Sequence, residues 1–83
     1  MDKSIFSRDY EVFLRRLREA RRRAGLTQVQ LAERLGQTQT FVSKCERGER
    51  RLAVVEVRAF CLALGESFPA FVAAFDAEVA ATE

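Results

Sequence analysis

The sequence lacks the residue types on which most catalytic and metal sites depend. It contains no histidine and no tryptophan, one proline and two cysteines. Without histidine it has no imidazole to act as a general base or metal ligand, and no side chain that ordinarily titrates near neutral pH. Cys45 and Cys61 lie sixteen positions apart in apolar patterns, without the CxxC spacing of a zinc site. We therefore expect no enzymatic activity, metal or cofactor, and treat the cysteines as core residues or, alternatively, redox sensors.

Long apolar runs are also missing. No stretch approaches the ~20 apolar residues that cross a bilayer, and the first residues lack the apolar core of a secretory signal. The 83 residues are 48% hydrophobic and 31% charged, a composition that suits one small core. We expect a single cytoplasmic domain over residues 1–83 with reduced thiols and no membrane contact.

The net charge of +2 conceals a separation of charge along the chain. Residues 1–14 carry two basic and three acidic side chains, residues 15–51 carry eleven and four, and residues 52–83 carry one and five. The net charges of the three segments are therefore −1, +7 and −4. The basic middle segment favours a polyanionic partner and the acidic segment a different one, whereas an ordinary solvated surface would mix the signs more evenly.

Apolar residues at helical spacing predict five short helices and no strand. The first covers about residues 9–24 and stops at Gly25. Thr27 and Gln30 form the Thr-x-x-Gln pattern of a capping box, so a second helix begins directly after Thr27 and ends at Gly36.

Three further helices follow the second. Thr38 is placed to cap the third, which ends by Gly48. The fourth carries an apolar stripe and ends at Gly65; the stripe contains Val54, Val57, Phe60, Cys61 and Leu64. Pro69 suits the first turn of a fifth helix over about residues 69–80, and residues 80–83 should fray.

The second and third helices are too short to bury much surface alone, so their relative geometry must matter. Ala32 is small where the third helix must approach, and Gly36 permits positive φ in the turn. The shared core contains Leu31, Leu35, Val42 and Cys45. This spacing predicts a helix-turn-helix at residues 28–47.

At these positions the sequence resembles the lambda-repressor-like, Cro/Xre-type helix-turn-helix regulators of bacteria and their phages. The resemblance extends over nearly the whole chain, and the stretches that match within it are Leu17–Arg21, Ala24–Gln28, Leu31–Gly36, Val42–Leu52 and Ala63–Gly65. The resemblance implies a compact, all-α, five-helix DNA-binding domain whose third helix enters the major groove. It also implies a structural ion pair between Arg21 and Glu46.

Three features depart from the family pattern. Gln37 occupies a turn position that is usually apolar, which indicates either a wetter turn or a side chain that reaches DNA. Ala53 stands where relatives often carry a helix-capping residue, and no proline follows the basic connection. The exact start of the fourth helix therefore stays open.

Residues near the N-terminus of a recognition helix meet base edges in the major groove. The candidate base contacts are Thr38, Gln39, Thr40, Ser43 and Lys44. Gln39 suits adenine, and Lys44 suits either guanine or a phosphate. Gln39 and Thr40 are alternatively ordinary polar surface, and Phe41 either packs against the second helix or lies on a sugar and a thymine methyl.

A second set of residues is expected to hold phosphates, which positions the domain without reading sequence. Gln28 begins the second helix, whose positive end attracts anions. The arginines near the third helix join it, with Arg22 as a further contributor, unless they form a solvated basic face. The candidate phosphate contacts are Gln28, Arg47, Arg50, Arg51 and Arg23.

One recognition helix reads only a few base pairs, so we expect a homodimer with recognition helices about 34–36 Å apart on a palindromic operator. Phe68, Phe71 and Phe75, in the acidic segment, are the candidate dimer surface or, alternatively, close the monomer core.

The sequence thus predicts a DNA-binding transcriptional regulator, most simply a repressor, in the bacterial cytoplasm and at the nucleoid when bound to double-stranded DNA. We expect no small-molecule ligand, so regulation would depend on concentration and dimerisation. Phage, restriction-modification and toxin-antitoxin settings all fit. The alternative is a protein-interaction module, such as an antitoxin-type partner, that retains the fold without binding DNA.

Overall fold

The computed structural model describes residues 3–82 of the chain, with side chains from Arg8 to Thr82. Within this range it contains five α-helices and no strand: α1 (Lys3–Arg23), α2 (Gln28–Leu35), α3 (Gln39–Glu46), α4 (Val54–Leu64) and α5 (Phe68–Ala81). The predicted all-α, five-helix architecture is confirmed.

Two predicted helix ends are wrong. Helix α1 begins six residues earlier than residue 9, because residues 3–8 contain neither glycine nor proline to stop a helix that already has a stable apolar face. Helix α5 continues through Ala81, so Ala80 and Ala81 are helical rather than frayed; Glu83 lies outside the described residues.

Side-chain caps set the limits of the two helices of the helix-turn-helix. The Oγ1 of Thr27 accepts from the Gln30 N–H (3.1 Å), and the Oε1 of Gln30 accepts from the Thr27 N–H (2.9 Å), which completes the predicted capping box. Thr38 Oγ1 accepts from the Phe41 N–H at 3.1 Å. Gly36 ends α2 with a φ of 66°, the left-handed conformation that favours glycine. The turn between α2 and α3 is therefore encoded locally.

Helices α2 and α3 pack against α1 and α4 around one core. Its most buried members are Leu17, Ala20, Leu31, Val42, Cys45, Phe60 and Cys61. Full burial of a leucine or valine stabilises a fold by roughly 1.5–3 kcal/mol, so these contacts hold the helix-turn-helix against the rest of the chain. Phe41 also packs on this core, with its ring centroid 6.3 Å from that of Phe60.

The apolar stripe of α4 is shorter than predicted. Val54 is 68% exposed, because it occupies the first position of the helix, outside the face that packs inward. Val57, Phe60 and Leu64 are buried as predicted. Val54 is therefore a surface residue.

Helix α5 closes the core from the side of α1. Phe71 is buried, and Phe13 makes edge-to-face contacts with Phe71 and Phe75 at centroid distances of 6.0 and 6.2 Å. The Oε1 of Glu78 accepts from Arg16 Nε at 2.7 Å, which ties the far end of α5 to α1. The core interpretation thus holds for Phe71, which is only 6% exposed, whereas Phe68 and Phe75 are partly buried.

The start of α4 is at Val54, and a side chain other than that of Ala53 supports it. Ala53 has extended backbone and no capping group, so the first-turn N–H groups of α4 lack a side-chain acceptor from this position. The Oε1 of Glu56 accepts from the Ala53 N–H at 2.7 Å, which supplies half of a capping box. The hydrogen bond from Arg50, followed by this backbone N–H, lowers the pKa of Glu56.

A buried ion pair joins α1 to the helix-turn-helix. Glu46 is 2% exposed, and it is the only buried charged side chain among residues 8–82. The Nε and Nη2 of Arg21 donate to its Oε2 and Oε1 at 2.7 and 3.0 Å, a bidentate arrangement. The Nη1 of Arg21 donates to the carbonyl oxygen of Leu26 at 2.9 Å. A single guanidinium therefore holds α1, the connection before α2 and the end of α3 together.

Replacing Ala53 with serine should stabilise the protein. The extended backbone at this position allows a serine Oγ to accept a first-turn N–H, which is worth about 0.5–2 kcal/mol. Chemical denaturation of wild type, Ala53→Ser and Ala53→Val would measure the gain. Ala53→Val adds a side chain without an acceptor, so equal stability of the two variants would contradict the capping explanation.

Arg21→Ala should destabilise the protein by about 3–5 kcal/mol, because it leaves the Glu46 carboxylate buried without its cation. The double variant Arg21→Met with Glu46→Leu should lose less, since no buried charge remains. Arg22→Ala, an exposed neighbour on the same helix, is the matched control and should change stability by at most ~0.5 kcal/mol. Thermal or urea unfolding measures the stability of each variant. If Arg21→Ala were no less stable than the double variant or Arg22→Ala, the pair would not be structural.

Candidate nucleic-acid interface

The first turn of α3 and the residues around it present polar side chains to solvent. Thr38, Gln39, Thr40 and Lys44 are exposed and Ser43 is half-buried, so the structure places all five candidate base contacts on one short helix and its cap. Lys44 makes no side-chain hydrogen bond or ion pair with residues 8–82. Its ammonium group is therefore available to a ligand.

A chain of hydrogen bonds links this exposed helix end to the buried ion pair. The Nε2 of Gln39 donates to Gln28 Oε1 at 2.7 Å, and the Nε2 of Gln28 donates to Glu46 Oε1 at 3.0 Å. Arg21 holds the same carboxylate from the other side. The four side chains form a continuous path from α1, through α3 and α2, to the surface.

The buried carboxylate dictates the direction of this chain. An ionised Glu46 can only accept hydrogen bonds, so Gln28 must turn its amide nitrogen toward it and its amide oxygen toward Gln39. Gln39 must then use one N–H for Gln28, which leaves its second N–H and its Oε1 free. That pair of groups is the one that recognises the N7 and N6 edge of adenine.

The arginine that directly follows α3 lies against that helix. Arg47 Nε donates to Glu49 Oε2 at 2.7 Å, and its Nη1 donates to the Oγ of Ser43. The hydrogen bond from Arg47 lowers the pKa of Glu49. Both Arg47 and Glu49 are more than half exposed, so solvent screens this pair and an anion can compete for the guanidinium.

The other candidate phosphate contacts have different surroundings. Arg50 donates to Glu56 at 2.8 Å and lies 4.8 Å above the ring of Phe41, while Arg51 lies 4.5 Å above the ring of Tyr10. Arg23 pairs with Glu66 at 3.6 Å, in the connection between α4 and α5. Of the candidate phosphate contacts, Gln28 and Arg47 therefore form hydrogen bonds with side chains of α3. Arg50, Arg51 and Arg23 instead contact Phe41, Tyr10 and Glu66.

One side chain near this surface was absent from the sequence-based set. Arg18 lies on α1, and its Nη1 donates to the carbonyl oxygen of Glu46 at 3.0 Å. Together with Arg22, Gln28 and Arg47 it lines a groove of about 970 Å³ beside the ends of α2 and α3. The sequence feature that could have identified Arg18 is its spacing: Arg15, Arg18 and Arg22 are three and four positions apart, which puts them on one face of a helix.

A second groove, of about 410 Å³, lies between α1, α4 and α5 and is mainly apolar. Partly buried Phe68 and Phe75 line it, and the exposed Val54 and Val72 stand at its edge. Arg51 and Asp9 supply its charged groups. The structure thus provides an apolar surface that is distinct from the polar end of α3.

Both cysteines belong to the core. Cys45 and Cys61 are fully buried and unpaired. Burial raises the pKa of both thiols, although Arg50 opposes the effect at Cys45. A buried thiol with a raised pKa carries little thiolate and reacts slowly, which favours the core interpretation over redox sensing.

No single helix within residues 3–82 has the length and apolar character needed to cross a bilayer; α4 and α5 reach that composition only together and are bent by 113° at their junction.

Comparison with known proteins places this fold in a family. The helix-turn-helix domain family matches residues 12–75. The solved structure of an XRE-family like protein from Pseudomonas syringae pv. tomato is 45% identical and superimposes with a TM-score of 0.87 over 92% of this chain and 93% of the other. No match is found among curated proteins. The chain therefore belongs to the Xre-type helix-turn-helix family of DNA-binding regulators.

Proposed function

We propose that this protein is a sequence-specific transcriptional regulator that reads an operator by inserting α3 into the major groove of DNA. The observation that carries the proposal is the hydrogen-bonded chain from Glu46 through Gln28 to Gln39. It presents an exposed amide with a defined donor and a defined acceptor at the end of a helix. Such preorganisation has a use in base recognition and none in a merely solvated surface.

The neighbouring side chains fit the same role. Thr38, Thr40 and Ser43 offer hydroxyl groups around Gln39, and Lys44 offers an ammonium group to guanine or phosphate. Gln28 stands at the N-terminus of α2, where the helix dipole and free N–H groups attract a phosphate.

The arginines after α3 supply the remaining phosphate contacts. To bind a phosphate, Arg47 must give up its ion pair with Glu49. That pair is exposed and screened by solvent, so a phosphate can easily replace the carboxylate. A guanidinium that lies above a ring can still donate N–H groups to another acceptor. Arg51 above Tyr10, and Arg50 above Phe41 once it leaves Glu56, can therefore hold a phosphate while they stay in contact with the ring.

The proposal includes a homodimer that acts in the bacterial cytoplasm as a repressor by occupying a palindromic operator. The apolar groove between α1, α4 and α5 is its dimer surface, formed by Phe68, Phe75, Val54 and Val72. A second copy is the occupant we favour, because one recognition helix reads few base pairs. The segment that supplies most of this surface, residues 52–83, has a net charge of −4, which keeps it away from DNA.

Lys44→Ala should relax base preference at one operator position, because a lysine that reads guanine contributes roughly 1–3 kcal/mol of discrimination. Arg47→Ala should instead weaken binding to all sequences and reduce the salt dependence. Selection of wild-type binding sites from random DNA, followed by binding measurements with both variants at several salt concentrations, would separate the roles.

Two results would change the assignment. Uniform weakening by Lys44→Ala would make Lys44 a phosphate contact. Failure of the wild-type protein to select any sequence would contradict a specific regulator and favour the alternative, a protein-interaction module such as an antitoxin-type partner.

Val72→Glu should convert the dimer to a monomer, because it places a charge in the apolar groove without disturbing the core. Val55→Glu is the matched control: Val55 is 72% exposed on α4 and does not line the groove. Sedimentation at micromolar concentrations should show a dimer for wild type and Val55→Glu only. A wild-type monomer, both free and on operator DNA, would contradict the homodimer.

A further inference from the structure

One face of α1 carries a stripe of charged residues beside the helix-turn-helix. Its members are Arg8, Glu11, Arg15, Arg18 and Arg22, spaced alternately three and four positions apart. All five line the groove of about 970 Å³, which also contains Gln28 and Arg47. The stripe therefore runs directly into the surface proposed to hold phosphates.

The N-terminal part of this stripe is neutralised within the protein. Arg15 forms ion pairs with Glu19, four residues along α1, and with Glu78 on α5. Arg8 pairs with Asp9, and Glu11 adds a negative charge to the same part of the groove. An anion would gain little there.

The C-terminal part of the stripe is not neutralised. Arg18 donates only to the backbone carbonyl of Glu46, which holds its position without cancelling its charge. Arg22 is exposed and pairs with no acid among residues 8–82. Of the carboxylates that line the groove, Glu46 is already matched by Arg21, and Glu78 by Arg15 and Arg16.

We propose that Arg18 and Arg22 clamp the phosphodiester backbone of DNA beside the half-site that α3 reads. The inference rests on the proposed function and adds to it a second row of contacts, on α1. The two residues are one helical turn apart, about 6 Å along the axis, and the phosphates of one strand recur every ~3.4 Å along the duplex. Neighbouring phosphates are therefore within reach of both guanidinium groups.

The structure gives the two arginines different parts in this clamp. Arg18 has five N–H donors, of which the Glu46 carbonyl uses one, so its guanidinium is both oriented and able to bind. Arg22 is exposed and must be ordered by the phosphate itself. The clamp increases affinity and lengthens the protected DNA without changing which bases are read, because phosphate contacts carry no sequence information.

The test compares Arg22→Ala, Arg18→Ala and Arg58→Ala with wild type on a DNA duplex carrying the selected operator. Arg58 is the matched control: it is exposed on α4, outside the groove, and forms no ion pair with residues 8–82. Dissociation constants are measured from low to moderate salt, phosphates are mapped by ethylation interference, and urea unfolding checks each variant.

Loss of one phosphate contact should reduce the slope of log K against log salt by about 0.9 for each arginine. Binding at low salt should weaken by up to about tenfold, and interference should disappear at a phosphate outside the bases that α3 contacts. Arg58→Ala should match wild type. If Arg18→Ala unfolds too easily to be measured, Arg22→Ala, which removes no internal contact, decides the question.

Unchanged affinity, salt slope and interference in Arg22→Ala would overturn the clamp even if the operator is bound specifically. The regulator proposal can also fail while the clamp is supported. A wild-type protein that binds DNA without sequence preference would contradict the regulator proposal, yet a reduced slope in Arg22→Ala would still support the clamp. Absence of any DNA binding by wild type would overturn both.

Discussion

The buried ion pair between Arg21 and Glu46 is the contact on which the arrangement of the candidate nucleic-acid interface depends. Its value does not lie mainly in stability, because desolvation of two charges offsets much of their attraction. Its main effect is to orient the neighbouring side chains. A buried carboxylate accepts hydrogen bonds and cannot donate them, so it fixes the orientation of the Gln28 amide and, through Gln28, that of the Gln39 amide. The backbone carbonyl of the same glutamate holds Arg18. The proposed base contacts of α3 and the proposed backbone contacts of α1 therefore depend on the same glutamate.

Charge is distributed in the structure at two levels. Along the chain, basic residues concentrate in the segment that forms α2, α3 and the connection after them, and acidic residues in the segment that forms α4 and α5. Within the basic segment, the acids Glu49 and Glu56 hold Arg47 and Arg50 in exposed pairs. Such pairs are weak in water, so they keep the guanidinium groups ordered while a phosphate can still replace the acid. Glu46 differs because it is buried, and its arginine is structural.

Much of the fold could be predicted from local features. The limits of α2 and the start of α3 depend on Thr27, Gln30, Gly36 and Thr38, whose caps and positive φ act within four residues of each other in sequence. Pairing of Arg21 with Glu46 was implied by the resemblance to a family, and the atoms are indeed in contact. Local patterns did not predict which apolar side chains the packing would cover. Val54 fits an apolar stripe but occupies the exposed first position of α4. For Phe71 the sequence left core and partner surface open, and packing against Phe13 of α1 buries it.

The sequence by itself determined the number and type of the helices, their caps and the charge of each segment, because these depend on residue spacing and composition. Only the tertiary structure decided which charges remain available. Six arginines lie between residues 15 and 23, and their spacing does not show which of them pair with an acid. Packing gives Arg16 to Glu78, Arg21 to Glu46 and Arg23 to Glu66, and leaves Arg18 and Arg22 beside α3 without a carboxylate. The partner of a charge is set by which helices meet, and that is a property of the whole core.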